Sequence, residues 1–80
     1  MRELDLLDFM REVKRSLDQM TENQRKTIIM RFGLDGQGKR SYAKVGEAIG
    51  LSRSRAQHLE AEGLRIMRLK NKRLRDFLRQ

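Results

Sequence analysis

Cysteine, proline and tryptophan are absent from the 80 residues, and tyrosine and histidine occur once each. Without cysteine there is no disulfide framework and no zinc-thiolate site, so packed apolar side chains must hold any fold together. That composition suits a reducing, intracellular compartment. Without proline nothing interrupts a helix from within, and the segments between glycines read as helices with almost no candidate strands. No apolar run approaches the roughly 18 residues of a membrane span. Met1 to Asp8 alternates acids with leucines instead of forming a basic-then-apolar signal. The expectation is one cytoplasmic domain with no membrane partner, because a chain of this length builds a single modest core.

Charge is plentiful and uneven. Lys and Arg number 19 against 11 Asp and Glu, a net charge of +8 that points to a polyanionic partner. Residues 1–30 are balanced at six and six, whereas residues 53–80 carry nine basic groups and three acidic ones. The excess therefore belongs to the last third of the chain, where a solvated helix face is the plain alternative to a binding surface.

An amphipathic helix is expected from about Glu3 to Ser16, within an N-terminal segment 1–19. Leu6, Phe9 or Met10, Val13 and Leu17 form its apolar stripe, and Arg11, Glu12, Lys14 and Arg15 the other face. Thr21-Glu22-Asn23-Gln24 matches a capping box and opens a second helix in segment 21–33, running through Ile28, Ile29 and Phe32 and stopping at Gly33. Gly33 to Arg40 holds three glycines in eight residues and reads as an ordered surface loop. Its GLDGQGKR sequence nearly matches a phosphate-binding P-loop, but Arg40 stands where Ser or Thr is needed and a helix precedes it instead of a strand.

Segment 41–69 reads as a helix-turn-helix. Ser41 caps a short helix, Tyr42 to Ile49, with Val45 and Ile49 inward and small Gly46 and Ala48 permitting close approach. Gly50-Leu51-Ser52 makes the turn, and Ser52 caps a long helix whose Ala56, Leu59, Gly63, Leu64 and Met67 share one face. Lys70-Asn71-Lys72-Arg73 breaks or frays that helix, and in the tail 70–80 Leu74, Phe77 and Leu78 form a last amphipathic turn against the body. The fold class is all-α: a small bundle of four main helices with a C-terminal helix-turn-helix.

The long helix opens with Ser52, Arg53, Ser54, Arg55, Gln57 and His58. Arginine binds guanine bidentately, glutamine binds adenine, and serine serves a base or a phosphate. Ser41, Arg65, Arg68, Lys70 and Lys72 complete the expected DNA-binding set, mostly as phosphate contacts. Arg53, Gln57 and His58 share a face at four- and five-residue offsets, with Ser54 flanking it and Arg55 turned away. His58 has only Glu62, one turn on, as a companion ligand, which is too little for a metal site. No nucleophile, carboxylate pair or Cys-His arrangement points to catalysis, so no enzyme activity, metal or cofactor is expected.

Several stretches resemble the fourth conserved region of primary, housekeeping-type sigma factors, the subunits that direct bacterial RNA polymerase to promoters. They are Met30-Arg31-Phe32-Gly33-Leu34-Asp35-Gly36, Val45-Gly46-Glu47, Ile49-Gly50-Leu51-Ser52-Arg53, Leu59-Glu60-Ala61-Glu62-Gly63-Leu64-Arg65 and Leu74-Arg75-Asp76-Phe77-Leu78. The resemblance runs from Met20 to Leu78 in order. It implies reading of the minus-35 promoter element by the long helix, and docking on the flap of the polymerase beta subunit through the apolar faces of the first two helices and the loop near Phe32 to Gly36. An anti-sigma factor or activator is a further implied partner. Arg53 and Arg55 match the family, but Ser54, Ala56, Gln57 and His58 stand where it typically shows glutamate, isoleucine, arginine and glutamine, and Glu62 replaces a lysine. The other sigma regions have no counterpart here, so the expectation is an excised domain or a stand-alone relative.

Two rival readings follow from the same residues. One is a protein-docking or anti-sigma-binding module whose DNA reading has decayed. The other is a dimeric helix-turn-helix regulator with the Leu4 to Leu17 stripe as its seam. A monomer is expected under the sigma-like reading.

Overall fold

The computed structural model describes residues 6–70, with Lys70 described through its backbone alone. Four helices follow in order: α1 (Leu6–Asp18), α2 (Glu22–Phe32), α3 (Tyr42–Ile49) and α4 (Arg53–Lys70). Leu4, Lys72, the Lys70 side chain and the expected turn at Leu74 to Leu78 lie outside the described residues.

Helix boundaries follow local chemistry. Thr21 Oγ1 accepts from the Gln24 N–H at 3.3 Å while Gln24 Oε1 accepts from the Thr21 N–H at 3.0 Å, a complete capping box for α2. Gly33 ends α2 at φ 67°, where a side chain would be strained and where a Cβ would also stand 2.7 Å from the Gly38 carbonyl carbon. The α1 C-terminus is closed by an unexpected cation: Arg25 donates from Nε to the Leu17 carbonyl and from Nη2 to the Met20 carbonyl, both at 2.9 Å. It adds a second bond to the Leu17 carbonyl, which already accepts from the Met20 N–H at 3.1 Å, and places positive charge at the negative pole of the dipole.

Helix α4 is the spine, packing against α1, α2 and α3. Val13, Met20, Ile28 and Met67 form the main core, with Phe9, Leu17, Leu64 and Ile66 against it. Val45, Ala56 and Leu59 are buried between the helices of the helix-turn-helix half. Gly63 lets α2 and α4 close in, since a Cβ there would lie 2.6 Å from Ile28 Cγ1.

Burial departs from the expected stripe on α1. Val13 is buried and Phe9 and Leu17 partly so, but Leu6 and Met10 are exposed, Ser16 is buried at 1 %, and Glu12 is largely covered instead of solvated. The cause is packing geometry: α1 meets chiefly α4, and one partner helix covers a narrower row than the apolar period offers. On α2, Thr27 is fully buried while Phe32 stays exposed.

Candidate nucleic-acid interface

The turn between α3 and α4 is held by close backbone approach. Gly50 ends α3 in the left-handed conformation at φ 73°, and the Leu51 N–H donates to the Gly46 carbonyl at 2.8 Å. A Cβ on Gly46 would stand 2.6 Å from the Leu51 oxygen and 3.0 Å from the Ser52 oxygen. Gly46 thus sets how near α3 lies to the start of α4; Ala48, also expected to permit close approach, is exposed.

Both serines expected at the interface act first as caps. Ser41 Oγ accepts from the Lys44 N–H at 3.2 Å, and Ser52 Oγ from the Arg55 N–H at 3.0 Å. Each hydroxyl keeps its proton to donate. Arg53, Ser54, Arg55, Gln57 and His58 are all exposed along the first turns of α4, and Arg65 and Arg68 further along.

The buried row fixes the orientation of that set. With about 100° of rotation per residue, the face opposite Ala56, Leu59, Gly63 and Met67 is centred on Ser54, Ala61 and Arg65. Gln57 and Arg68 border it on one side and His58 on the other, with Arg53 and Arg55 at its edges. Ser54 is therefore central instead of flanking. His58 Nε2 lies 3.7 Å from Glu62 Oε2, and among the described residues no group of three His, Asp or Glu side chains is placed to hold a metal ion.

A network that the sequence did not disclose fixes α4 from behind. Arg31 Nε donates to Glu60 Oε2 at 2.7 Å, Tyr42 Oη donates to Glu60 Oε1 at 2.7 Å, and the Arg31 guanidinium lies 3.9 Å from the centre of the Tyr42 ring. The hydrogen bond to Glu60 raises the Arg31 pKa above its ordinary value against the opposing effect of burial. One carboxylate on α4 thereby joins α2 to α3, with a cation stacked on an aromatic ring. Arg31 Nη1 also donates to the Arg40 carbonyl at 2.8 Å, tying in the Gly33–Arg40 loop. Within that loop Arg40 grips Asp35 through two bonds, 3.0 and 2.8 Å long. The loop is ordered, and it follows a helix, unlike a P-loop.

Residues 16–69 match the family model for region 4 of sigma-70. Over 64 residues, 78 % of this chain, the sequence is 41 % identical to RNA polymerase sigma factor SigA from Bacillus sp. and 38 % identical to RNA polymerase sigma factor SigA from Listeria monocytogenes. The match spans 17 % of the length of each relative. A helix-turn-helix with an exposed basic face, matched over most of its described length, places the chain in the sigma-70 region 4 family.

Proposed function

We propose that this chain is a promoter-binding domain acting in bacterial transcription initiation, with α4 entering the major groove of a minus-35 element. It is a DNA-binding module and not an enzyme, in keeping with its family. The observation that carries the reading is the exposed set Arg53, Ser54, Arg55, Gln57 and His58 at the N-terminal end of α4, directly after the α3–turn–α4 junction. Arg65, Arg68, Lys70 and Lys72 supply phosphate neutralisation, and binding is steeply salt-dependent because few base contacts are available.

The proposal extends to docking on the polymerase beta flap. In its support, Phe9, Met10, Val13, Lys14, Leu17 and Leu34 line an apolar groove of about 220 Å³, and Phe32 and Leu34 are exposed beside the loop. The domain works in the cytoplasm as a monomer; among the described residues no helix is long and apolar enough to cross a membrane. A second reading, a protein-docking module without DNA reading, draws on the exposure of Leu6, Leu7 and Met10 on α1.

A salt series of fluorescence anisotropy on promoter and random duplexes, with and without a flap fragment, tests these readings together. Promoter preference that strengthens with the flap supports the proposal, and flap binding with no affinity for either duplex supports the docking module. DNA binding indifferent to the flap, with a dimer mass in sedimentation, supports the dimeric regulator.

A further inference from the structure

We propose that Tyr42, Glu60 and Arg31 are positioning residues for base reading: they pin the N-terminal end of α3 to the back of α4 and so fix where the exposed Ser41 and Lys44 stand relative to the base-facing start of α4. The inference deepens the DNA-reading proposal and rests on it. At its C-terminal end α3 is tied to α4 by the turn, where the Leu51 N–H donates to the Gly46 carbonyl at 2.8 Å. Between the two helices lie Val45, Ala56 and Leu59, whose apolar contact holds them together without fixing a direction. At about 1.5 Å per residue α3 is about 12 Å long, so a swing of about 10° about the turn would carry its far end by about 2 Å. That far end is where Tyr42 Oη donates to Glu60 Oε1 at 2.7 Å.

The same carboxylate carries a second tie. Glu60 Oε2 accepts from Arg31 Nε at 2.7 Å, and Arg31 Nη1 donates to the carbonyl of Arg40, the residue before the α3 cap, at 2.8 Å. The Arg31 guanidinium lies 3.9 Å from the Tyr42 ring centre, so the ring is held on its face and the hydroxyl at its tip. Groups on both sides of Ser41 are thus anchored to one side chain of α4. In a helix-turn-helix the first helix crosses the DNA backbone while the second reads bases, so this anchor sets the DNA backbone against the reading face. A long side chain such as Lys44 follows a phosphate through a shift of about 2 Å, whereas contacts to base edges need their donors held within about 0.5 Å. Loosening the pin therefore costs discrimination before it costs affinity.

Tyr42→Phe tests it, since it removes the hydroxyl and leaves the ring beneath Arg31. Two quantities are read at a temperature where every variant is folded. One is the orientation of α3 relative to α4 in the free chain, from backbone residual dipolar couplings. The other is the preference for the best duplex that the parent recovers from random DNA over a random duplex, from fluorescence anisotropy. The expected result is an α3 whose couplings no longer fit the parent's orientation, with preference lowered roughly three- to tenfold and random-duplex affinity within about twofold of the parent's. Met20→Ala, which opens a cavity in the core away from α3, should lower thermal stability and keep the parent's preference. An unchanged α3 orientation in Tyr42→Phe overturns the proposal, and so does a preference equal to the parent's, or one lost to the same extent in Met20→Ala. A parent that recovers no preferred duplex defeats the DNA-reading proposal instead, and the couplings alone then decide whether the pin exists.

Discussion

Single residues carry the geometry of the candidate interface, and two of them make opposite kinds of contribution. Gly46 acts through the room it leaves. A Cβ there would stand 2.6 Å from a backbone oxygen of the turn, which has no flexible end to move aside. Gly46→Ala is expected to destabilise the domain by about 2 to 3 kcal/mol, the scale of an overpacked site, and a thermal melt unchanged within a degree would contradict it. Glu60 acts through the bonds it accepts. Its side chain is 12 % exposed, and its removal leaves the Arg31 guanidinium and the Tyr42 hydroxyl without the acceptor they share. Because Arg31 retains partial access to water, Glu60→Ala is expected to cost about 1 to 3 kcal/mol, short of the loss for a fully buried pair. Glu60→Gln keeps an acceptor oxygen and loses less. Urea midpoints for the two variants would order them, and equal midpoints for both and for the parent would rule out a structural role.

At the scale of elements, what was legible in the sequence was local. The Thr21–Gln24 capping box, the caps at Ser41 and Ser52, and the stops at Gly33 and Gly50 each depend on groups a few residues apart, and all stand where spacing put them. What stayed hidden depended on partners remote in the chain. Arg31 and Glu60 are 29 residues apart, and nothing in either helix's own pattern pairs them. On α1 the apolar period was real but did not say how wide a row a single neighbouring helix would cover, so Leu6 was misplaced inward and Glu12 outward, while of the two alternatives Phe9 and Met10 it is Phe9 that packs on the core. The candidate interface was legible as the start of α4, but its centre was not, because centring it on Ser54 requires the buried row to be known. The Gly33–Arg40 loop shows a third case, order carried by an ion pair. Arg40 donates to Asp35 and holds its carboxyl below the ordinary carboxylate value, with a further bond from the Gln37 N–H. A carboxylate whose folded value is lowered contributes stability above its unfolded value, about 4, and that contribution is lost as pH falls through the folded value. The loop is therefore expected to loosen below about pH 4, and Asp35→Asn to remove that acid dependence while weakening the loop at neutral pH. Amide exchange at Gln37 and Arg40 would report it, and identical acid profiles for parent and variant would count against the ion pair.

For the whole molecule, the question is whether a basic domain holds DNA through its charge alone or also reads sequence. Net charge of +8, concentrated in the last third of the chain, is sufficient for binding that ignores sequence. Reading requires side chains that reach base edges, and the exposed face of α4 offers an uneven set. Arg53 at its edge has the length and fork to take a guanine, whereas Ser54 at its centre is too short for what the family's glutamate reaches. Arg68 lies on the same face four turns on, beyond the end that a docked helix presents to bases, where a phosphate is the natural partner. Arg53→Ala is expected to lose about 1 to 3 kcal/mol on preferred sites and to relax choice at one base pair. Arg68→Ala should weaken all sequences alike and reduce the salt slope by about one counterion. Ser54→Glu restores a long acceptor at the centre of the face and should sharpen selection at one further position, at some cost in non-specific affinity from the added negative charge. Selection of bound sites from random duplexes for the parent and the three variants separates these outcomes. A selected sequence that neither Arg53→Ala nor Ser54→Glu alters would mean that α4 binds phosphates without reading bases, and the exposed apolar surface of α1 would then be the better place to look for specificity.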